Sequence, residues 1–276
     1  FNHSFTSTQY DPRVGNAVVA VGGTIENYTQ DITNWVATNI LRYKVNLSDD
    51  HKLEAFAGYE AQSRSDVDIN ISVNGIAPGT VTAAGGSSPT LTTGTGTANR
   101  LVSKFFNTNY SFKDLYFVSG SVREDASSRF AKNFRKATFW SIGAGWNISN
   151  EKFYNVSWLS ELKLRGSYGI LGNLVGNDLY KALLNGEATY VFDGALTNGQ
   201  ALGALPNKIA KWETAEKLDI GLDAKLFGNK LEVVADYFLE DRIDLLIPGL
   251  PISGIFGTTA PGSGAPTVNA GTTRSE

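Results

Sequence analysis

The sequence predicts an all-β protein, an antiparallel up-and-down transmembrane β-barrel. Three observations carry that reading. Apolar and polar residues alternate with period two over runs of about nine or more residues, longer than the usual five or six of a globular strand and enough to cross a membrane at a tilt. Short polar turns and long Gly-, Ser-, Thr- and Asn-rich connections succeed one another along the chain. Aromatic residues gather beside the short turns.

With 276 residues the chain can build one large β domain. A formal net charge of −3, with no basic run interleaved with aromatics, argues against nucleic acid as a partner. Cysteine is absent, and with it any disulfide framework, thiolate metal site or cysteine nucleophile. Charged residues make up 18% of the chain, below the roughly 25% usual in soluble domains. No apolar run approaches the roughly eighteen residues of a membrane helix, but barrel strands keep half their residues polar toward the lumen and carry no such signal. A chain that opens on Phe1 and contains no methionine is expected to be a processed product or a section of a longer one.

Taken in order, Phe1 to Gln30 reads as the end of one strand and a loop, with Ala17-Val18-Val19-Ala20-Val21 before Gly22-Gly23. Leu41, Tyr43, Val45 and Leu47 then alternate with Arg42, Lys44 and Asn46, and after the turn Ser48 to His51 the return arm carries Leu53, Ala55, Ala57, Tyr59 and Ala61. Arg64 to Arg100 reads as a long Gly/Ser/Thr-rich connection. A second hairpin turns at Lys113-Asp114, between Val102, Phe106, Tyr110 and Phe112 on one arm and Tyr116, Val118 and Val122 on the other. Arg123 to Lys136 is polar. Trp140, Ile142, Ala144, Trp146 and Ile148 mark the next strand, and Leu162, Leu164, Gly166, Tyr168 and Ile170 the one after. A second long connection, Gly172 to Lys211, leads to the clearest hairpin. There Leu218, Ile220, Leu222, Ala224 and Leu226 alternate with charged residues, the chain turns at Phe227-Gly228-Asn229-Lys230, and Leu231, Val233, Ala235, Tyr237 and Leu239 return. Pro248 to Thr273 reads as a third Gly/Pro/Ser-rich stretch. The total is about eight or nine strands.

In an up-and-down barrel successive connections fall on opposite rims, so the short turns near Asp49, Asp114, Glu151 and Gly228 share one rim and the long loops the other. Outer-membrane barrels have that asymmetry and an aromatic girdle. Tyr110, Phe112, Tyr116, Trp146, Phe153, Tyr154, Trp158 and Phe227 supply the rings. If Leu218, Ile220, Leu222 and Leu226 face lipid, then Lys217, Asp219, Asp223 and Lys225 face the lumen, as do Lys163 and Arg165, because a lipid-facing charge near the midplane costs about 2–4 kcal/mol.

Catalytic signals are thin. His3 and His51 lie far apart, Glu124-Asp125 point to opposite faces of a strand, and no Ser-His-Asp set assembles. Gly94-Thr95-Gly96 and Gly143-Ala144-Gly145 lack the helix of a phosphate cradle. No enzyme activity, cofactor or metal is expected.

Four ordered motifs then bring a family into view. Ser119-Gly-Ser-Val-Arg-Glu-Asp-Ala-Ser-Ser-Arg-Phe130 resembles S-x-R-x-D-G-S-S-R-F, and Phe139-Trp-Ser-Ile-Gly-Ala-Gly-Trp146 with Ile148-Ser149 resembles P-S-x-x-A-G-W-x-I-S. Leu162-Lys-Leu-Arg-Gly-Ser-Tyr-Gly169 with Gly172-Asn173 is similar to L-K-L-R-x-S-Y-G-x-x-G-N. Lys211-Trp-Glu-Thr214 with Ile220-Gly-Leu-Asp223 is similar to L-K-W-E-x-T followed by G-L-D. These are motifs of SusC/RagA-type TonB-dependent transporters of the Bacteroidetes outer membrane. Ala126, Trp140 and Ala210 depart from the pattern.

The resemblance implies a 22-stranded barrel around an N-terminal plug, energised by TonB through that N-terminal region, and lidded by a SusD-like surface lipoprotein. The substrate would be a glycan or peptide. No plug-like stretch or TonB box is recognisable, so residues 1–276 are expected to be part of the barrel. The resemblance also places Arg123, Asp125 and Arg129 at a loop base as structural ion pairs. Competing readings are a small closed outer-membrane barrel acting as adhesin or structural protein, and a soluble carbohydrate-binding β-sandwich.

Overall fold

A computed structural model describes residues 2–10, 13, 22–176, 180–181, 184–202, 205–247, 249 and 266–276. The described elements are strands, with three short 3₁₀ turns. They are β1 (Asn2–Tyr10), β2 (Thr24–Asn46), β3 (His51–Ile76), β4 (Gly86–Phe112), β5 (Tyr116–Ser127), β6 (Lys136–Asn147), β7 (Leu159–Asn173), β8 (Leu184–Phe192), β9 (Ala195–Leu202), β10 (Glu213–Leu226), β11 (Leu231–Ile247) and β12 (Val268–Ser275). Ten lie in one sheet in the order β1-β2-β3-β4-β5-β6-β7-β10-β11-β12, and β8 pairs with β9 alone. The sheet is antiparallel and up-and-down, the barrel topology that the alternation predicts.

The strand count exceeds the eight or nine expected. Residues 64–100 are not a long connection: β3 runs to Ile76, β4 starts at Gly86, and only 77–85 joins them. The first thirty residues hold β1 and the start of β2, the Gly172 to Lys211 connection contains the β8–β9 hairpin, and β12 begins inside the last Gly/Pro/Ser-rich stretch and runs past its end to Ser275. The Ala17 to Val21 patch falls outside the described residues. The predicted alternation of connection lengths holds only in part: residues 47–50, 113–115 and 227–230 are tight turns of three or four residues, but 148–158 is longer than the 128–135 connection before it.

The chain forms two compact units. The first, Phe1–Ala37 with Ala61–Arg100, has a small apolar centre of Ile25, Val73 and Ile76. In it Asp68 accepts hydrogen bonds from Tyr28 Oη at 2.7 Å, Gln30 Nε2 at 2.9 Å and Thr95 Oγ1 at 3.2 Å.

The second, Thr38–Glu60 with Leu101–Glu276, holds the two-faced wall. Directly opposed residues of antiparallel strands share a face, so the register can be read as rows across β4, β5, β6, β7, β10 and β11. One face carries Thr108, Gly120, Ile142, Tyr168, Leu218 and Leu239 in one row, and Tyr110, Val118, Ala144, Gly166, Ile220 and Tyr237 in the next. A third row is Phe112, Tyr116, Trp146, Leu164, Leu222 and Ala235. This face is apolar yet exposed, with Ile142 at 53% and Ile220 at 46%.

Toward the long connections charge takes over on the same face. Lys104 opposes Glu124, Lys136 Nζ lies 3.4 Å from Glu124, and Glu216 opposes Asp241. At the short-turn end rings close the belt. Phe112 stacks on Tyr116 at 6.2 Å between centroids and Tyr116 on Trp146 at 6.1 Å, while Tyr116 Oη and Trp146 Nε1 both donate to Glu151. The turn beneath them places Lys113 and Asp114 at φ 56° and 54°, the pair of positive values that matches the twist of a tight hairpin.

Candidate functional site

The opposite face of the same strands is polar. Its rows are Asn107, Ser121, Ser141, Gly169, Lys217 and Glu240; then Asn109, Ser119, Gly143, Ser167, Asp219 and Phe238; then Ser111, Phe117, Gly145, Arg165, Gly221 and Asp236. Asn147, Lys163, Asp223 and Val234 follow. The six charged residues singled out from the sequence, Lys163, Arg165, Lys217, Asp219, Asp223 and Lys225, all stand on this face.

Most of them are held by partners. Arg165 sits among three carboxylates, with Nη1 3.3 Å from Asp219, Nε 3.3 Å from Asp223, and Nη2 paired with Asp236. The guanidinium crosses over Gly221, directly opposite Arg165 on β10, and a Cβ there would collide with both Arg165 Cζ and Asp236 Oδ1. Lys225 reaches Glu161 at 2.5 Å, and Lys217 reaches Glu240 at 3.0 Å, which also accepts from Arg242 at 2.6 Å. Lys163 opposes Asp223 in register, yet its ammonium lies over the Phe117 ring at 5.6 Å. Asp236, Glu161 and Glu240 are the partners that sequence reasoning did not name. Counting residues back from the Gly228 turn would have put Asp236 across from Gly221, but a third strand was needed to bring in Arg165.

Arg123 and Asp125 meet at the loop base, with Arg123 Nε 2.7 Å from Asp125; Arg123 also donates to Ser103 Oγ at 2.8 Å and lies 3.6 Å from Glu60. Arg129 stands apart from them and donates to the Leu174 carbonyl at 3.5 Å. His51 bonds Tyr110 Oη at 2.5 Å. Among the described residues no group of three His, Cys, Asp or Glu is placed to hold a metal ion.

The sequence motifs, read one by one, converge at the long-connection end. Phe130, Phe139 and Trp212 form a buried cluster with Ala210, ring centroids of Trp212 lying 5.5 Å from Phe130 and 5.6 Å from Phe139. Trp212 Nε1 donates to the Arg135 carbonyl at 3.0 Å. Gly172 leaves room for the Phe139 ring, which a Cβ there would strike. Asn173 Nδ2 donates to Glu213 at 2.9 Å, and Glu213 also accepts the Leu246 N–H at 2.8 Å, beside the break in register between β11 and β12. Lys211 pairs with Asp244 at 2.7 Å, while Asn269 brackets its backbone N–H and carbonyl at 3.0 and 2.9 Å. The motif residues thus anchor the roots of the loops to the wall.

A groove of about 470 Å³ opens on the polar face, lined by Lys44, Asn46, Lys52, Glu54, Asn109, Ser111, Phe117, Ser119, Lys163, Arg165, Ser167 and Asp219 among others. At the nearby turn, Lys52 donates to the Asp114 carboxylate at 2.6 Å and holds its pKa below the ordinary carboxylate value.

Comparison with known proteins agrees with this two-faced wall. All of residues 1–276 match the family model described as TonB dependent receptor-like, beta-barrel. TonB-dependent receptor P3 of Formosa agariphila is 32% identical over 263 residues, covering 90% of this chain and 25% of that protein. TonB-dependent receptor SusC of Bacteroides thetaiotaomicron is 36% identical over 156 residues, covering 54% of this chain and 16% of its own length. Among solved structures, that of the RagAB peptide transporter superposes with a TM-score of 0.80 at 28% identity, over 91% of this chain and 28% of that one. The chain therefore spans about a quarter of the length of the relatives it matches over most of its own length.

Proposed function

The chain belongs to the TonB-dependent receptor β-barrel family of the Gram-negative outer membrane, with SusC- and RagA-like relatives, and from that premise we propose that it is wall of a transporter importing oligosaccharides or peptides. The importer works without catalysing a reaction. It draws energy from TonB through a part of the protein outside residues 1–276, and it assembles with a SusD-like surface lipoprotein.

The observation that carries this reading is the in-register division of the sheet. Leucine, isoleucine and aromatic rows form one face and Ser, Asn, Lys, Arg and Asp rows the other. The apolar rows face lipid and the polar rows face the lumen. Exposed apolar patches beyond a few hundred Å² are rare on soluble monomers, which counts against a soluble sandwich. Lys163, Arg165, Lys217, Asp219, Asp223 and Lys225 then line the passage, and the long connections reach outward to substrate and lid.

A strain deleted for the gene, tested for uptake against a panel of oligosaccharides and peptides, checks the proposal. Loss of one class, restored by the intact gene, is the expected result; undiminished uptake of every member defeats it.

A further inference from the structure

On the apolar face, at its border toward the long connections, charged side chains of three neighbouring strands meet. Glu124 of β5 is the middle one. Lys104 of β4 is its direct cross-strand neighbour, so their Cβ atoms lie about 4.5–5.5 Å apart. Lys136 of β6 pairs with Ala126 and reaches back to Glu124, with Nζ at 3.4 Å. Lys104 itself makes no ion pair among the described residues. Two ammonium groups thus flank one carboxylate and leave a surplus positive charge, with the Thr138 hydroxyl opposite Glu124.

The next row on the same face is Phe106, Val122 and Trp140, all exposed, and with it the apolar band begins. Trp140 meets the Tyr168 ring edge-on at 5.7 Å between centroids, so rings line this border of the band as Tyr116 and Trp146 line the other. From Tyr116 to Glu124 the β5 strand covers roughly 27 Å, the run of a tilted membrane-crossing strand. The charged cluster therefore stands where headgroups meet hydrocarbon.

A positive cluster directly above exposed aromatic and aliphatic side chains has the two-part character of a lipid. A free anion uses the cluster alone; the apolar floor beneath it serves only a ligand with chains. We propose that Lys104 and Lys136 bind the phosphate of an outer-leaflet lipid whose acyl chains lie along Phe106, Val122 and Trp140. The ammonium groups take phosphate oxygens by charge-assisted hydrogen bonds, while their stems cover apolar surface. Thr138 donates a further bond, and Glu124 steadies Lys136 but repels the phosphate, which limits affinity. The site rests on the part of the import reading that turns the apolar rows to lipid and the long connections outward.

The test uses the intact protein in detergent and native mass spectrometry with three probes. Dimyristoyl phosphatidate carries chains and phosphate, dimyristoylglycerol the same chains alone, and glycerol 3-phosphate the headgroup alone. Phosphatidate is expected to bind about tenfold or more tighter than either, the scale of one charge-assisted contact. Its advantage over dimyristoylglycerol shrinks in K104Q, which breaks no ion pair, disappears in K104Q/K136Q, and grows in E124Q. Equal binding of phosphatidate and dimyristoylglycerol overturns the site, as does an advantage that survives K104Q/K136Q or falls in E124Q. Glycerol 3-phosphate binding as tightly as phosphatidate overturns the lipid as the ligand.

Fluorescence separates this failure from that of the lipid-facing assignment. In vesicles of brominated phosphatidylcholine, W140F is expected to lose part of the tryptophan quenching that the intact protein shows. If it does and phosphatidate has no advantage, the lipid face stands and the phosphate site falls. If W140F is quenched like the wild type, face and site fall together.

Discussion

Arg165 is the residue on which three strands depend, because its single positive charge stands among Asp219, Asp223 and Asp236. Exposed ion pairs contribute little one at a time, about 0–1 kcal/mol. Removing the arginine does more than delete them, since it leaves three carboxylates facing one another. R165A is therefore expected to lower the temperature at which the folded protein loses its heat-modifiable band on gels, and R165A/D236N to recover part of the loss. A double variant weaker than R165A would show that repulsion is not the cause. At the short-turn end, Lys52 lowers the pKa of Asp114 below 3.8 by hydrogen bonding its charged form. A group whose folded pKa is depressed stabilises the fold above its unfolded value and loses that contribution as pH falls through the folded one. D114N should thus destabilise the protein at pH 7 and match the wild type well below pH 3.8, as thermal melts at the two pH values would show.

At the scale of the element, β10 and β11 were the most legible part of the sequence, because water on one side and lipid on the other enforce strict alternation. Ile220 stands at the centre of the apolar rows, between Gly166 and Tyr237. I220R puts a charge there at a cost of about 2–4 kcal/mol and should cut the yield of folded protein in lipid vesicles, while a lysine at Ser167 on the polar face should be tolerated. The strands of residues 64–100 were illegible for the opposite reason. From Ser87 to Gly96 β4 is exposed wherever its burial is described, so nothing enforces alternation, and its threonines favour strand while its glycines suggest a loop. The Val67, Ile69, Ile71 and Val73 alternation in β3 was a readable signal that composition outweighed. The motif cluster was half legible. Phe130 and Trp212 stood out as sequence signatures, but their contact joins residues 82 apart, which no local pattern reveals. W212A should cost about 3–5 kcal/mol, the range for losing a buried large aromatic, and should expose residues 205–212 to protease added outside cells.

For the whole molecule, the family, fold class and membrane were within reach of the sequence, because motif order and period-two patterning are properties of the chain itself. The partners of each charge on the polar face were not, since they depend on registers among three or more strands. The sheet order runs from β1 to β12, and backbone groups left unpaired in lipid cost several kcal/mol each. Residues 1–276 refolded alone in vesicles are accordingly expected to give no heat-modifiable species, whereas the intact protein gives one. A heat-resistant monomer of residues 1–276 would instead favour a small closed barrel.

The cluster of Phe130, Phe139 and Trp212 also works as a joint. With Asn173 and Lys211 tied to Glu213 and Asn269, both roots of the connection between β7 and β10 are fixed to the wall, and what lies between them is free to vary. Exchanging residues 175–206 for the same connection of another family member would change what the mouth presents to its surroundings and leave the strand registers where they are. On the proposed import function, a new specificity could be grafted there without rebuilding the strands.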